Sequence, residues 1–180
     1  MPNSKDNKDS ASTPNSKTAV IHTGELPDTL GKEYEINFKF RDSTSYQGRT
    51  KYSSTLPEMP FVIGDLCLYK LEDDTYKLLF KDSFEHTFTY DQSKMQSLKI
   101  VASKRKRLTT ITLNGKKLIS FKTFKTLQGN YRIGKGYKAR IWNGELINLN
   151  VKGTTKPGKM ETLIKIRNKH LNIGESKFNN

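Results

Sequence analysis

Hydrophobic and polar positions alternate along much of this chain. In KEYEINFKF (32–40), Tyr34, Ile36, Phe38 and Phe40 share one face, and Glu33, Glu35, Asn37 and Lys39 share the other. That period of two marks a half-buried strand. LCLYKLEDDTYKLLF (66–80) reads as a hairpin turning at Asp73-Asp74. Pairing Leu71 with Tyr76, Tyr69 with Leu78, and Cys67 with Phe80 gives one apolar face and puts Cys67 in the core. RLTTITLNGKKLISF (107–121) holds Asn114-Gly115 between two strand-like runs. Asn-Gly is the strongest short hairpin signal, because a type I′ turn needs positive φ at both positions. KARIWNGELINLNV (138–151) repeats the pattern with Asn143-Gly144. TLIKIR (162–167) reads as a last strand in preference to the start of a short helix. Residues 42–60, with Gly48, Pro57 and Pro60, read as a long loop. The stretch 82–97 leaves room for one or two short helices. The expected fold is mainly β, antiparallel hairpins forming a sheet or sandwich.

Residues 1–18 are Asn, Ser, Lys and Asp with no large apolar side chain after Met1. Such a stretch does not offset chain entropy by burial and is expected to be a disordered polar arm. Residues 19–175 then form a single β-rich domain with a basic second half, and 176–180 a frayed C-terminus. Apolar residues are 33% of the 180, so the expected core is modest.

Charge changes this picture more than composition does. The net charge is +14, but residues 1–90 carry 11 basic and 14 acidic side chains, and residues 91–180 carry 21 and 4. From Asp91 to Glu145 the 53 intervening residues hold 14 Lys or Arg and no carboxylate. Such asymmetry points to a polyanionic partner.

Several classes drop out. With Cys67 as the one cysteine, an intramolecular disulfide and a Cys-based zinc site are excluded, and an intracellular setting is expected. His22, His86 and His170 lack metal-ligand spacing, so no metal and no cofactor is expected. No apolar run reaches 18 residues, the N-terminus has no signal-peptide core, and Met1-Pro2 excludes N-myristoylation. No nucleophile elbow, zincin or Walker motif occurs, so no catalytic residue is assigned. Gly134-Lys135-Gly136 reads as a tight turn, with a phosphate nest as the minor alternative.

The basic constellation is the candidate site. Lys104-Arg105-Lys106-Arg107 lies between LKIV (98–101) and LTTITL (108–113). Four adjacent cations are too costly to bury, so the run belongs on an exposed turn or strand end. It also has the form of a nuclear-import signal. A two-residue turn at Asn114-Gly115 would pair Leu113 with Lys116, Ile111 with Leu118, Thr109 with Ser120, and Arg107 with Lys122. A bound anion would relieve the last, like-charged pair. Lys116, Lys117, Lys122, Lys125, Arg132, Lys135, Lys138 and Arg140 extend the anion-binding set for RNA phosphate or lipid headgroups. Phe121, Phe124, Tyr131, Tyr137 and Trp142 are interleaved with them, either as core or as stacking platforms for bases. Lys outnumbers Arg 25 to 7, which favours sequence-tolerant attraction over bidentate readout.

The short polar arm, the β-rich basic body and the KRKR run together resemble a plant rhabdovirus matrix protein of the cytorhabdovirus-like kind. The resemblance covers the whole chain in outline, without a signature motif. It implies a viral structural protein that binds ribonucleoprotein, self-associates, and meets the anionic membrane surface peripherally during virion assembly and budding. Its expected location is the virion and the host cytoplasm or membrane periphery. The alternative is a sequence-tolerant RNA-binding viral protein of movement, silencing-suppressor or coat type, nuclear-targeted if Lys104–Arg107 acts as an import run.

Overall fold

A computed structural model describes residues 22–26, 32–42, 58–72, 74–91, 94–134, 136, 142, 144–156, 159–167 and 172–173. The elements are β1 (His22–Glu25), β2 (Glu33–Asp42), β3 (Glu58–Ile63), β4 (Leu66–Glu72), β5 (Thr75–Phe80), β6 (Phe84–Thr89), β7 (Met95–Ser103), β8 (Leu108–Leu113), β9 (Lys116–Phe121), β10 (Asn130–Ile133), β11 (Gly144–Lys156), β12 (Lys159–Arg167) and β13 (Asn172–Ile173). They form two antiparallel sheets. A seven-stranded sheet runs β9-β8-β7-β2-β11-β12, with β13 also paired to β11. A six-stranded sheet runs β1-β10-β3-β4-β5-β6. The expectation of a mainly β fold of antiparallel strands holds. The polar arm (1–18) and the C-terminus (176–180) lie outside the described residues.

The sheets stack through their apolar faces as a β-sandwich. Phe38 of β2 meets Phe61 of β3 edge to face at 5.2 Å between ring centroids. Phe84 of β6 stacks on Phe121 of β9 at 4.3 Å, closing one side of the core. β2 is buried at every second residue, as its sequence predicts.

Four expectations are corrected. No helix occurs among the described residues, and 82–97 contributes β6 and the start of β7. Phe84, Phe88 and Tyr90 are buried with Glu85, Thr87 and Thr89 exposed between them, a strand alternation rather than a helical one. The 66–80 hairpin sits one residue away from the expected register: Leu66 opposes Phe80, Leu68 opposes Leu78, and Lys70 opposes Tyr76. A one-residue slip turns every side chain over. Cys67 is therefore buried on the other face, in a small cluster with Met59 and Val62, and Lys70 points into the core.

In the third case, Leu113 does oppose Lys116, and Asn114 and Gly115 have φ of 53° and 82°, as the turn demands. A bulge between Lys117 and Ile119 then shifts the register, so Ile111 opposes Ile119 and Thr109 opposes Phe121. The expected Arg107–Lys122 pair does not form, because the bulge moves the register by one and Arg107 sits in a tight turn with φ 50°. Fourth, Gly144 is a strand residue and not the second residue of a turn; residues 137–141 and Asn143 lie outside the described residues. Gly144 opens β11 and pairs with Asp42. A Cβ on Gly144 would fall 2.3 Å from the Trp142 ring, so the glycine makes room for the indole. β11 instead turns back into β12, with Lys156 opposite Lys159.

The expected 42–60 loop ends early, because β3 begins at Glu58 and is buried throughout. Residues 43–57 and Asp73 lie outside the described residues.

Candidate anion-binding face

The outward face of the seven-stranded sheet is built from the polar half of each alternating strand. Cross-strand registers align these positions into rows perpendicular to the strands. One row reads Lys117, Thr112, Lys99, Asn37, Asn150, Lys165. The next reads Ser97, Lys39, Asn148, Arg167. These two rows hold five cations and no carboxylate. Neighbouring strands lie about 4.8 Å apart, so the first row spans roughly 24 Å. The flanking rows carry the face's acids. Glu35 accepts from Asn37 Nδ2 at 2.7 Å, and Glu145 pairs with Arg41 at 3.3 Å. The carboxylates are thus engaged at the borders, and the central stripe keeps its positive charge.

At one end of this face the KRKR run forms the exposed turn from β7 to β8. Arg107 N–H donates to Lys104 O at 3.1 Å, and Lys104 N–H donates to Lys32 O at 2.7 Å. Lys106 N–H reaches Ser103 Oγ at 3.3 Å. The four side chains therefore fan out from a short, hydrogen-bonded loop. Beside it, between Lys99 and Lys106, runs a groove of about 390 Å³ floored by Val101 and Thr110 and bounded by Leu108 and Gly115.

The structure divides the sequence-derived set. Lys104–Arg107 are together. Lys116 and Lys117 are exposed at the opposite end of β8, about 20 Å away for a six-residue strand. Lys122 is exposed beyond β9. Lys125 is a strap: its Nζ donates to Lys81 O at 2.9 Å and lies over the Phe80 ring. Arg132 belongs to the other sheet, between Thr23 and Val62. Lys135, Lys138 and Arg140, with Tyr137, lie outside the described residues. Of the interleaved aromatics, Trp142 is fully buried, and Phe121, Phe124 and Tyr131 pack half-buried against the core. None of these four stands on the lysine face. Gly134 has a φ of 92°, and a Cβ on Gly136 would meet Met59 at 2.4 Å.

Sequence reasoning missed Lys39, Lys99, Lys152, Lys165 and Arg167 as face residues. The signal was the polar half of each alternation. Placing those halves side by side needed the registers of strands far apart in the chain.

A second charged cluster is sealed inside the sandwich. Asp42, at the end of β2, accepts from Tyr76 Oη at 2.5 Å, from Tyr90 Oη, and from Trp142 Nε1 at 3.0 Å. Lys70 Nζ lies 3.3 Å from the same carboxylate. Burial first, and the Asp42 charge second, hold the Tyr76 and Tyr90 hydroxyls protonated well beyond the usual tyrosine range. Asp42 is 5% exposed and Lys70 is not exposed at all, so the cluster is a structural one.

No protein family pattern and no characterised protein matches the chain in sequence. Solved structures match in shape. A putative carbohydrate binding protein from Bacteroides ovatus superposes with a TM-score of 0.61 at 11% identity, over 82% of this chain and 48% of that one. Domains LG4-5 of the mouse laminin alpha1 chain give 0.50 at 9%, over 81% and 44%. The chain spans about half the length of each. At such identities the likeness is one of fold alone.

Proposed function

We propose that the chain is a non-enzymatic, matrix-type structural protein whose lysine face holds the phosphate backbone of a ribonucleoprotein and meets an anionic membrane surface with the same charge. The observation that carries this is the pair of carboxylate-free rows holding Lys39, Lys99, Lys117, Lys165 and Arg167. Lysines act as solvated point charges. With no aromatic on the face among the described residues, bases are left unread, so the attraction is sequence-tolerant. The same cations are drawn to an anionic leaflet at about 1 kcal/mol each.

The test is binding of uridine and adenine homopolymers across a salt series. Five phosphate contacts on a single strand predict a log–log slope near −3.5. Replacing Lys39, Lys99 and Lys165 with Ala should flatten it by about 2. A salt-independent interaction overturns the reading. Co-sedimentation with neutral and anionic vesicles tests the membrane half. Equal binding to both removes that half and leaves the movement, silencing-suppressor or coat-type alternative. Nuclear accumulation of a fluorescent fusion, lost on replacing Lys104–Arg107, would mark that turn as an import signal.

A second reading, an acidic-carbohydrate binder, is favoured by the amide and hydroxyl side chains (Asn37, Asn148, Asn150, Thr110, Thr112) between the cations, and by the description of the Bacteroides structure. A sulfated polysaccharide that displaces RNA at matched charge concentration would favour it.

A further inference from the structure

Val101, with Leu108 beside it in the groove, interrupts the lysine face with apolar surface. It is a β-branched apolar residue left 39% exposed in the middle of a seven-stranded sheet. Around it the groove is walled by Lys99 and Lys106 and lined by Ser103, Leu108, Thr110, Thr112 and Gly115. Thr110 opposes Val101 across the β7–β8 ladder, and Thr112 opposes Lys99. Thr110 Oγ1 is held 3.0 Å from Ser120 Oγ, which fixes its rotamer while leaving hydrogen-bonding capacity free. The groove's volume, about 390 Å³, lies at the small end of ligand sites, which run from about 300 to 1,000 Å³. It is also continuous with the cation stripe, because Lys99 belongs to both.

These features fit one chemistry: a sugar with an apolar ring face and a free hydroxyl, flanked by anions. We infer that the groove is a ribose subsite that makes the face select RNA over DNA through the 2′-hydroxyl. The inference rests on the RNA reading above. The ribose C–H face lies on Val101, Thr110 and Thr112 exchange hydrogen bonds with the 2′-hydroxyl, and Lys99 and Lys106 take the phosphates on either side. The 2′-hydroxyl is the group that lets a protein distinguish the two polymers. No aromatic lines the groove, so the base points away and sequence stays unread.

The test compares two twelve-residue oligonucleotides that differ only in that hydroxyl, oligouridine and oligodeoxyuridine, by fluorescence anisotropy with the full chain. One or two added hydrogen bonds predict roughly 3- to 10-fold tighter binding of the ribo-oligomer. Thr110→Val together with Thr112→Val keeps the β-branched shape and should bring the ratio to about one, with the salt slope unchanged. The near-ultraviolet signal of buried Trp142 reports that the sandwich is intact. Equal affinity of the unaltered protein for both oligomers overturns the ribose subsite while leaving the polyanion reading standing. A ratio preserved in the folded double variant also overturns it. Binding to neither oligomer at low salt overturns both readings.

Discussion

Lys70 Nζ lies 3.3 Å from Asp42 Oδ2 inside the sandwich, across the interface between the two sheets. Taking charges out of water is costly, and the pair is tolerable because three further donors converge on the same carboxylate. Asp42→Ala removes a buried acceptor shared by the Lys70 ammonium, two phenols and the Trp142 indole. The expected loss is about 3–5 kcal/mol in urea unfolding. Asp42→Asn combined with Lys70→Met should cost less than Asp42→Ala. A loss under about 1 kcal/mol for Asp42→Ala would sink this account.

The same cluster sets an alkaline limit. Tyr76 and Tyr90 are held protonated in the native protein, whereas in the unfolded chain they ionise near their ordinary value of 10.0. The native state thus binds more protons above that value. Their contribution to stability is complete below pH of about 10 and falls as the pH rises past it. Absorbance at the phenolate wavelength should lag behind a free-tyrosine titration and catch up only with loss of the Trp142 near-ultraviolet signal. Tyr76→Phe should shallow the decline; an unchanged decline would count against it.

Gly144→Ala tests the fit between the β11 entry and the indole. The added methyl would press on Trp142 at 2.3 Å. Overpacking of this kind costs about 1–3 kcal/mol, read as a lowered melting temperature. Gly115→Ala introduces no contact, since nothing lies within 4 Å, and tests only the φ of 82° at that turn. It should therefore cost less than Gly144→Ala.

Charge reversal separates the face from net charge alone. Lys99 is on the stripe, whereas Lys77 is on the six-stranded sheet, over the Tyr69 ring. Lys99→Glu and Lys77→Glu change the total charge equally. RNA affinity at low salt should fall at least several-fold more for Lys99→Glu. Equal losses would show that the stripe has no special part.

Much of the architecture was readable in the residues. β2 declares itself through perfect alternation, and Asn114-Gly115 announces its turn. What was hidden depended on distant partners. An inward Lys70 looks wrong until Asp42 is beside it, so local alternation chose the all-apolar face Cys67-Tyr69-Leu71 instead. The bulge after Lys117 had no signal of its own, and it moved the expected Arg107–Lys122 contact out of existence. Trp142 disguised Gly144 as a turn residue, because Asn-Gly means a turn only where no large ring needs the space. The candidate site was half legible for the same reason: the KRKR turn is contiguous, while Lys39, Lys99 and Lys165 meet only through the ladder.

Apolar packing alone leaves the alignment of two stacked sheets weakly directional, because hydrophobic side chains of similar volume can replace one another. Asp42 removes that freedom. One carboxylate on the seven-stranded sheet is gripped by groups that arrive 34, 48 and 100 residues away along the chain. A displacement of one strand residue, about 3.3 Å, would part Asp42 from Tyr76 and Lys70 on the opposite sheet. The sandwich therefore has a single alignment of its layers, locked by a directional bolt rather than by grease, and the lysine rows on its outer surface inherit a fixed frame.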